Sequence, residues 1–166
     1  VTGPALSLCA SGARFSVALR GDDGRLLGSK DAEARSLSSD LFTTVDALLS
    51  AAGIRPEELR ELRVDRGPGS YTGLRVALTF ARVLAEQAQL AVTHATSLEL
   101  MAINAWRTAA APPSRPLRVI LDARRERWHT ARIEFDGAHA RLAVRPSLPG
   151  ELEPLYLMGP YTERPV

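Results

Sequence analysis

The residues best suited to chemistry lie in one run, Arg66-Gly67-Pro68-Gly69-Ser70-Tyr71-Thr72-Gly73-Leu74-Arg75. It falls between a β-compatible stretch, Glu61 to Asp65, and a helical one, Thr72 to Ala88. Glycines there let a backbone approach a phosphate closely, and the helix start offers unpaired amides. The run lacks the Gly-Lys-Ser/Thr ending of a Walker loop, and its glycine spacing with Pro68 is wrong for a dinucleotide fingerprint. The competing reading is a tight strand-to-helix turn in which Ser70 or Thr72 caps the helix. On local pattern the turn outweighs the cradle.

Other candidate groups are sparse. Cys9 is the sole cysteine, which forbids an intrachain disulfide and a cysteine-rich zinc site. In an apolar strand it reads as a small buried hydrophobe rather than a nucleophile. His94, His129 and His139 are too far apart in sequence for a helical metal pair, and none has an evident acid or nucleophile beside it. No catalytic residue, metal ligand or cofactor site is therefore assigned. Asp122 to Arg127, with Arg115, Arg118 and Arg132, concentrates charge that could face RNA, although a solvated turn is the simpler use.

The elements that must position the loop follow from periodicity. Ala5 to Ala10, Arg14 to Arg20 and Arg25 to Lys30 read as an antiparallel meander, with Gly21-Asp22-Asp23-Gly24 as a turn. Ser36 to Ala52 is an amphipathic helix carrying Leu37, Leu41, Val45 and Leu48, stopped at Gly53. Thr72 to Ala88 is apolar over more than one stripe, through Leu74, Ala77, Leu78, Ala81 and Leu84. Leu90 to Thr93 suits a strand, and Thr96 with Glu99 has the capping-box spacing for a helix through Trp106. The proline-rich segment 111–116 separates a first lobe, 1–110, from a second, 111–166, whose strands are Leu117 to Asp122, Arg127 to Phe135 and Ala140 to Val144. This order predicts an α/β fold with a mixed sheet.

The 166 residues, 45% hydrophobic and 24% charged, suffice for a packed core. Arginine carries nearly all the positive charge, Lys30 being the one lysine, yet the net charge of +2 is too small to steer a nucleic acid by itself. No apolar stretch approaches the ~20 residues needed to span a bilayer, and Val1 to Pro4 lacks the features of a signal peptide, so a cytoplasmic location is expected.

Gly67-Pro68-Gly69-Ser70-Tyr71-Thr72-Gly73-Leu74-Arg75, followed by Val76-Ala77-Leu78 and Ala81, resembles the signature of TsaB (YeaZ-like) proteins. Phe15 to Leu19, Ser97 to Ala102 and Leu121 to Arg124 fall where that family places them, and Glu153 to Leu157 resembles its closing segment. The resemblance implies an actin-like/sugar-kinase/Hsp70-type (ribonuclease H-like) fold. It also implies a non-catalytic subunit that pairs with its paralog TsaD, works with the ATPase TsaE to form threonylcarbamoyladenosine in tRNA, meets tRNA only indirectly, and forms a homodimer when alone. Leu37, Leu41, Val45, Leu48, Leu74, Ala77, Leu78, Ala81 and Leu84 would then serve the partner interface, in competition with ordinary core packing. Cys9 stands where the family usually has Asp, which argues against nucleotide or magnesium binding in that cleft. The span from Arg145 to Glu153 is short for the family, so an abridged second lobe is expected. A peptidase reading finds no zinc motif, serine triad or cysteine-histidine pair. A small-molecule kinase or ATPase, or a diverged paralog that only homodimerises, are the alternatives.

Overall fold

The computed structural model describes residues 3–108, 117–124, 127–136 and 139–143. They divide into two compact units, Val1–Thr96 and Ser97–Val166. In the first, β1 (Ala5–Cys9), β2 (Arg14–Arg20) and β3 (Leu26–Glu33) precede α1 (Leu37–Ala52), β4 (Glu61–Asp65), α2 (Tyr71–Ala88) and β5 (Ala91–Ala95). The sheet order is β3-β2-β1-β4-β5. The meander supplies the antiparallel pairs, while β1–β4 and β4–β5 are parallel, as crossovers through α1 and α2 require.

Alternation along the strands decides which face is covered. Leu6 lies beside Leu19 and Leu62, and Leu8 beside Val17 and Val64, so one face is a continuous apolar surface. It is buried together with Leu37, Leu41, Val45 and Leu49 of α1 and Ala77, Phe80 and Ala81 of α2. β3 runs three residues past its expected end at Lys30, because backbone pairing with β2 continues to Arg14 and Glu33 despite polar side chains. The serines at the start of α1 do not cap it. Ser36 donates to the Glu33 carbonyl at 3.0 Å, and a short 3-10 turn, Ala34–Ser36, leads into the helix.

The second unit holds α3 (Ser97–Thr108) and an antiparallel sheet β6-β7-β8, formed by Leu117–Arg124, Arg127–Asp136 and His139–Ala143. Leu98 and Ala102 of α3 are buried with Val119, Ala131 and Ile133. That packing groups α3 with the strands after it, whereas the proline-rich segment put the change of lobe at 110–111; segment 111–116 itself lies outside the described residues.

Candidate functional site

The glycine loop is built at the end of β4. Asp65, 3% exposed, accepts the Gly67 amide on Oδ1 at 2.8 Å and the Cys9 thiol on Oδ2 at 3.2 Å. Gly67 has φ +86°, a left-handed conformation that favours glycine, and the Gly67–Pro68 peptide bond is cis. The Ser70 amide donates to the Ser11 carbonyl at 2.7 Å. Ser70 is the helix cap, its Oγ accepting the Gly73 amide at 3.2 Å, so of the two candidates it is Ser70 and not Thr72 that performs this role.

Two glycines permit a close approach to the β1–β2 connection. A Cβ on Gly69 would collide with the carbonyl of Ser11, and one on Gly73 with that of Ala10. Three amides of the loop, those of Gly67, Ser70 and Gly73, are thus committed to Asp65, Ser11 and Ser70. The loop's glycines serve packing of α2 onto the end of β1. Of the remaining signature residues, Pro68 is half-buried, while Tyr71, Thr72 and Arg75 are exposed at the start of α2, with the Arg75 guanidinium 5.8 Å from the Tyr71 ring centre.

Asp65 was not singled out in the sequence, although an Asp two residues before a glycine is the signal of a side chain that caps its own turn. It puts a carboxylate on β4 beside Cys9 at the end of β1. Burial first, then the hydrogen bond and charge of Asp65, push the Cys9 thiol up to about 11. A neutral thiol at ordinary pH is a poor nucleophile and metal ligand. His94 and His129 lie exposed in different units, and the His139 side chain falls outside the described residues, as do Arg115, Arg125 and Glu126 of the charged stretch and the segment Glu153 to Leu157.

The proposed interface residues separate by burial. Leu37, Leu41, Val45, Ala77 and Ala81 belong to the first unit's own core, and Leu48, Leu74, Leu78 and Leu84 are half-buried. What the helix pair leaves outside is a different set. Phe42 on α1 is 71% exposed and meets Phe80 of α2 edge-on, with ring centres 4.9 Å apart, and Val83 is half exposed. Position 42 escaped notice because it falls off the helical stripe that the apolar period selects.

The family model described as TsaD, tRNA N6-adenosine threonylcarbamoyltransferase, matches residues 31–148. That match, together with the TsaB and YeaZ relatives that follow, shows that the chain belongs to the TsaB/YeaZ family. It is 32% identical over 91 residues to the tRNA threonylcarbamoyladenosine biosynthesis protein TsaB of Bacillus subtilis (strain 168), covering 55% of this chain and 38% of the relative. The Escherichia coli (strain K12) TsaB is likewise 32% identical, over 115 residues, covering 69% of this chain and 48% of the relative. The chain therefore matches about half or less of the length of these relatives. YeaZ from Pseudomonas aeruginosa superposes with a TM-score of 0.77 at 28% identity, covering 87% of this chain and 66% of that one. A crystal structure of an uncharacterized protein with similarity to peptidase YeaZ, from Pseudomonas aeruginosa, gives 0.78 at 28% identity over 96% and 70%. The fold is accordingly the actin-like α/β type with a mixed five-stranded sheet. Among the described residues no helix is long and apolar enough to cross a membrane.

Proposed function

We propose that this TsaB-family chain is a non-catalytic scaffold that binds TsaD, in the presence of TsaE, and thereby supports formation of threonylcarbamoyladenosine in tRNA in the cytoplasm. The relatives named above act in that biosynthesis. The observation that carries the reading is the use of the signature: its Gly67, Ser70 and Gly73 amides bond to the chain's own Asp65, Ser11 and Ser70, and the helix it opens pairs with α1 around an exposed aromatic edge, Phe42 on Phe80. An exposed aromatic on a buried one is the kind of anchor that protein interfaces favour. The interface is then the outward edge of α1 and α2, through Phe42 and Val83, with Leu48, Leu74, Leu78 and Leu84 half-buried on the same two helices and Leu37, Leu41, Val45, Ala77 and Ala81 in the core beneath them. The same edge serves the homodimer when the chain is alone.

Size-exclusion chromatography with the same organism's TsaD tests this. The wild type co-elutes, and Phe42→Asp keeps its thermal midpoint and circular dichroism but elutes separately. Equal co-elution of Phe42→Asp removes the proposed edge. Leu41→Asp cannot serve, since it buries a charge in the core. Complementation of a TsaB-depleted strain, read as threonylcarbamoyladenosine in tRNA, distinguishes the scaffold from a paralog that only self-associates.

A further inference from the structure

Packing explains only part of the glycine run. Gly67, Gly69, Ser70 and Gly73 serve the turn and its contact with the end of β1, but Tyr71 and Arg75 stand in solvent on the first turns of α2. At 76% exposure Tyr71 is the most open of the large hydrophobic side chains among the described residues, and the Arg75 guanidinium lies 5.8 Å from its ring centre. An open ring beside a guanidinium is the pairing on which nucleic-acid bases stack.

Positive charge at this place is also uncompensated. Elsewhere in the first unit Arg14, Arg20, Arg55, Arg63 and Arg82 each meet a carboxylate, and Arg60 donates to backbone carbonyls. Arg66 and Arg75 are exposed and enter no ion pair or side-chain hydrogen bond among the described residues. Arg25 and Arg35 are unpaired too, at the β2–β3 turn and past the end of β3. Asp65, next to Arg66, is buried and already holds Gly67 and Cys9. Five chain steps separate Arg66 from Tyr71, so even a straight loop could not part them by more than about 17 Å, the length of about five stacked nucleotides at ~3.4 Å each.

The surroundings of Tyr71 differ from those of Phe42. Between positions 66 and 75 the other exposed residues are Arg66, Gly69, Thr72 and Arg75, with no exposed apolar neighbour, whereas Phe42 has Phe80 and Val83 beside it on α2. Tyr71 and Phe80 are nine positions apart on α2, about two and a half turns, so they occupy opposite sides of the helix. A ligand on Tyr71 therefore leaves the Phe42 edge free.

We propose that Arg66, Tyr71 and Arg75 form a binding surface for a short single-stranded segment of RNA, with a base stacked on Tyr71 and the two arginines meeting phosphates on either side of it. The choice of RNA rests on the biosynthesis reading above; the surface itself does not. The test titrates the whole chain into a short fluorescein-labelled single-stranded RNA, read as anisotropy at several salt concentrations. The wild type binds the strand more tightly than the same sequence in a duplex, whose stacked bases Tyr71 does not reach. Tyr71→Ala weakens binding about ten-fold. Arg66→Gln and Arg75→Gln each lower the salt slope by about one, and Arg25→Gln, at the other end of the strands, changes neither affinity nor slope. Absence of binding at low salt overturns the surface, as does equal affinity for strand and duplex, or an Arg25→Gln effect as large as those of Arg66→Gln and Arg75→Gln. Ultraviolet crosslinking of the wild type to thiouridine-substituted RNA decides even where a variant fails to fold: attachment at Tyr71 supports the surface, and attachment only outside residues 66–75 overturns it. The two readings fail separately, since Phe42→Asp keeps RNA binding and Tyr71→Ala keeps co-elution with TsaD. Loss of TsaD from Tyr71→Ala without any RNA binding by the wild type would give this end of α2 to the protein partner and overturn the RNA surface.

Discussion

On the face of the five-stranded sheet that meets α1 and α2, the strands present Leu6, Leu8, Val17, Leu19, Leu62 and Val64, all closed by helix side chains. On the opposite face the same strands present Ala5, Ser7, Ala18, Arg20, Glu61 and Arg63, with Thr93 of β5 beside them, and ion pairs and hydrogen bonds join Arg20, Arg63 and Thr93 to Glu61. One face gains stability without direction, from apolar area removed from water. The other gains little net stability and a defined arrangement of charge, because each contact replaces hydration. The difference teaches which face of this sheet holds the fold together and which fixes its charges.

The largest break in that contrast comes from the apolar face. Phe15→Ala, at a side chain 1% exposed, lowers unfolding free energy by about 3–5 kcal/mol in chemical denaturation. A loss under about 1 kcal/mol would mean that the face is not the main source of stability. Next comes the seam where the loop meets β1. Gly73→Ala drives a methyl group into the Ala10 carbonyl and costs about 1–3 kcal/mol, with a lowered thermal midpoint.

The polar face responds less, and to pH. Glu61→Gln costs about 1–2 kcal/mol near neutrality. Held first by the Arg63 hydrogen bond, the folded carboxyl titrates below its ordinary 4.5, so its contribution is complete above that value and is lost as the pH falls through the lower folded one. The gap between wild type and Glu61→Gln therefore closes on acidification, and a gap constant from pH 7 to pH 3 would contradict the linkage. The smallest effect sharpens the comparison. Arg14 and Glu33 also pair across the sheet, at 3.3 Å, but with side chains 60% and 57% exposed, and Arg14→Gln changes stability by about 0.5 kcal/mol or less.

Much of the fold was legible because period two and period 3.6 repeat locally. Glu61–Asp65 has the bounds expected, and α1 and α2 begin within one residue of theirs. The candidate site was legible only in its motif. The glycine run announced a strand-to-helix connection, and Ser70 a cap, but the acceptors of its Gly67 and Ser70 amides, Asp65 and Ser11, come from different strand ends. The interface expectation shows the same limit. An apolar stripe such as Leu37, Leu41 and Val45 says that a helix buries one side, not whether its own sheet or another protein covers it.

By itself the sequence determined the strand and helix periods, the mixed order of the sheet, the absence of a Walker or dinucleotide fingerprint, and the signature that relates the chain to TsaB proteins. These depend on neighbours along the chain. Only the tertiary structure decided that the loop's glycines accommodate Ala10 and Ser11, that Phe42 stands outside while Leu41 beside it is buried, and that Arg20 and Arg63 converge on Glu61. Each of those depends on the register and crossing of segments distant in sequence, and a two-residue period fixes which residues share a face without fixing what lies across from them.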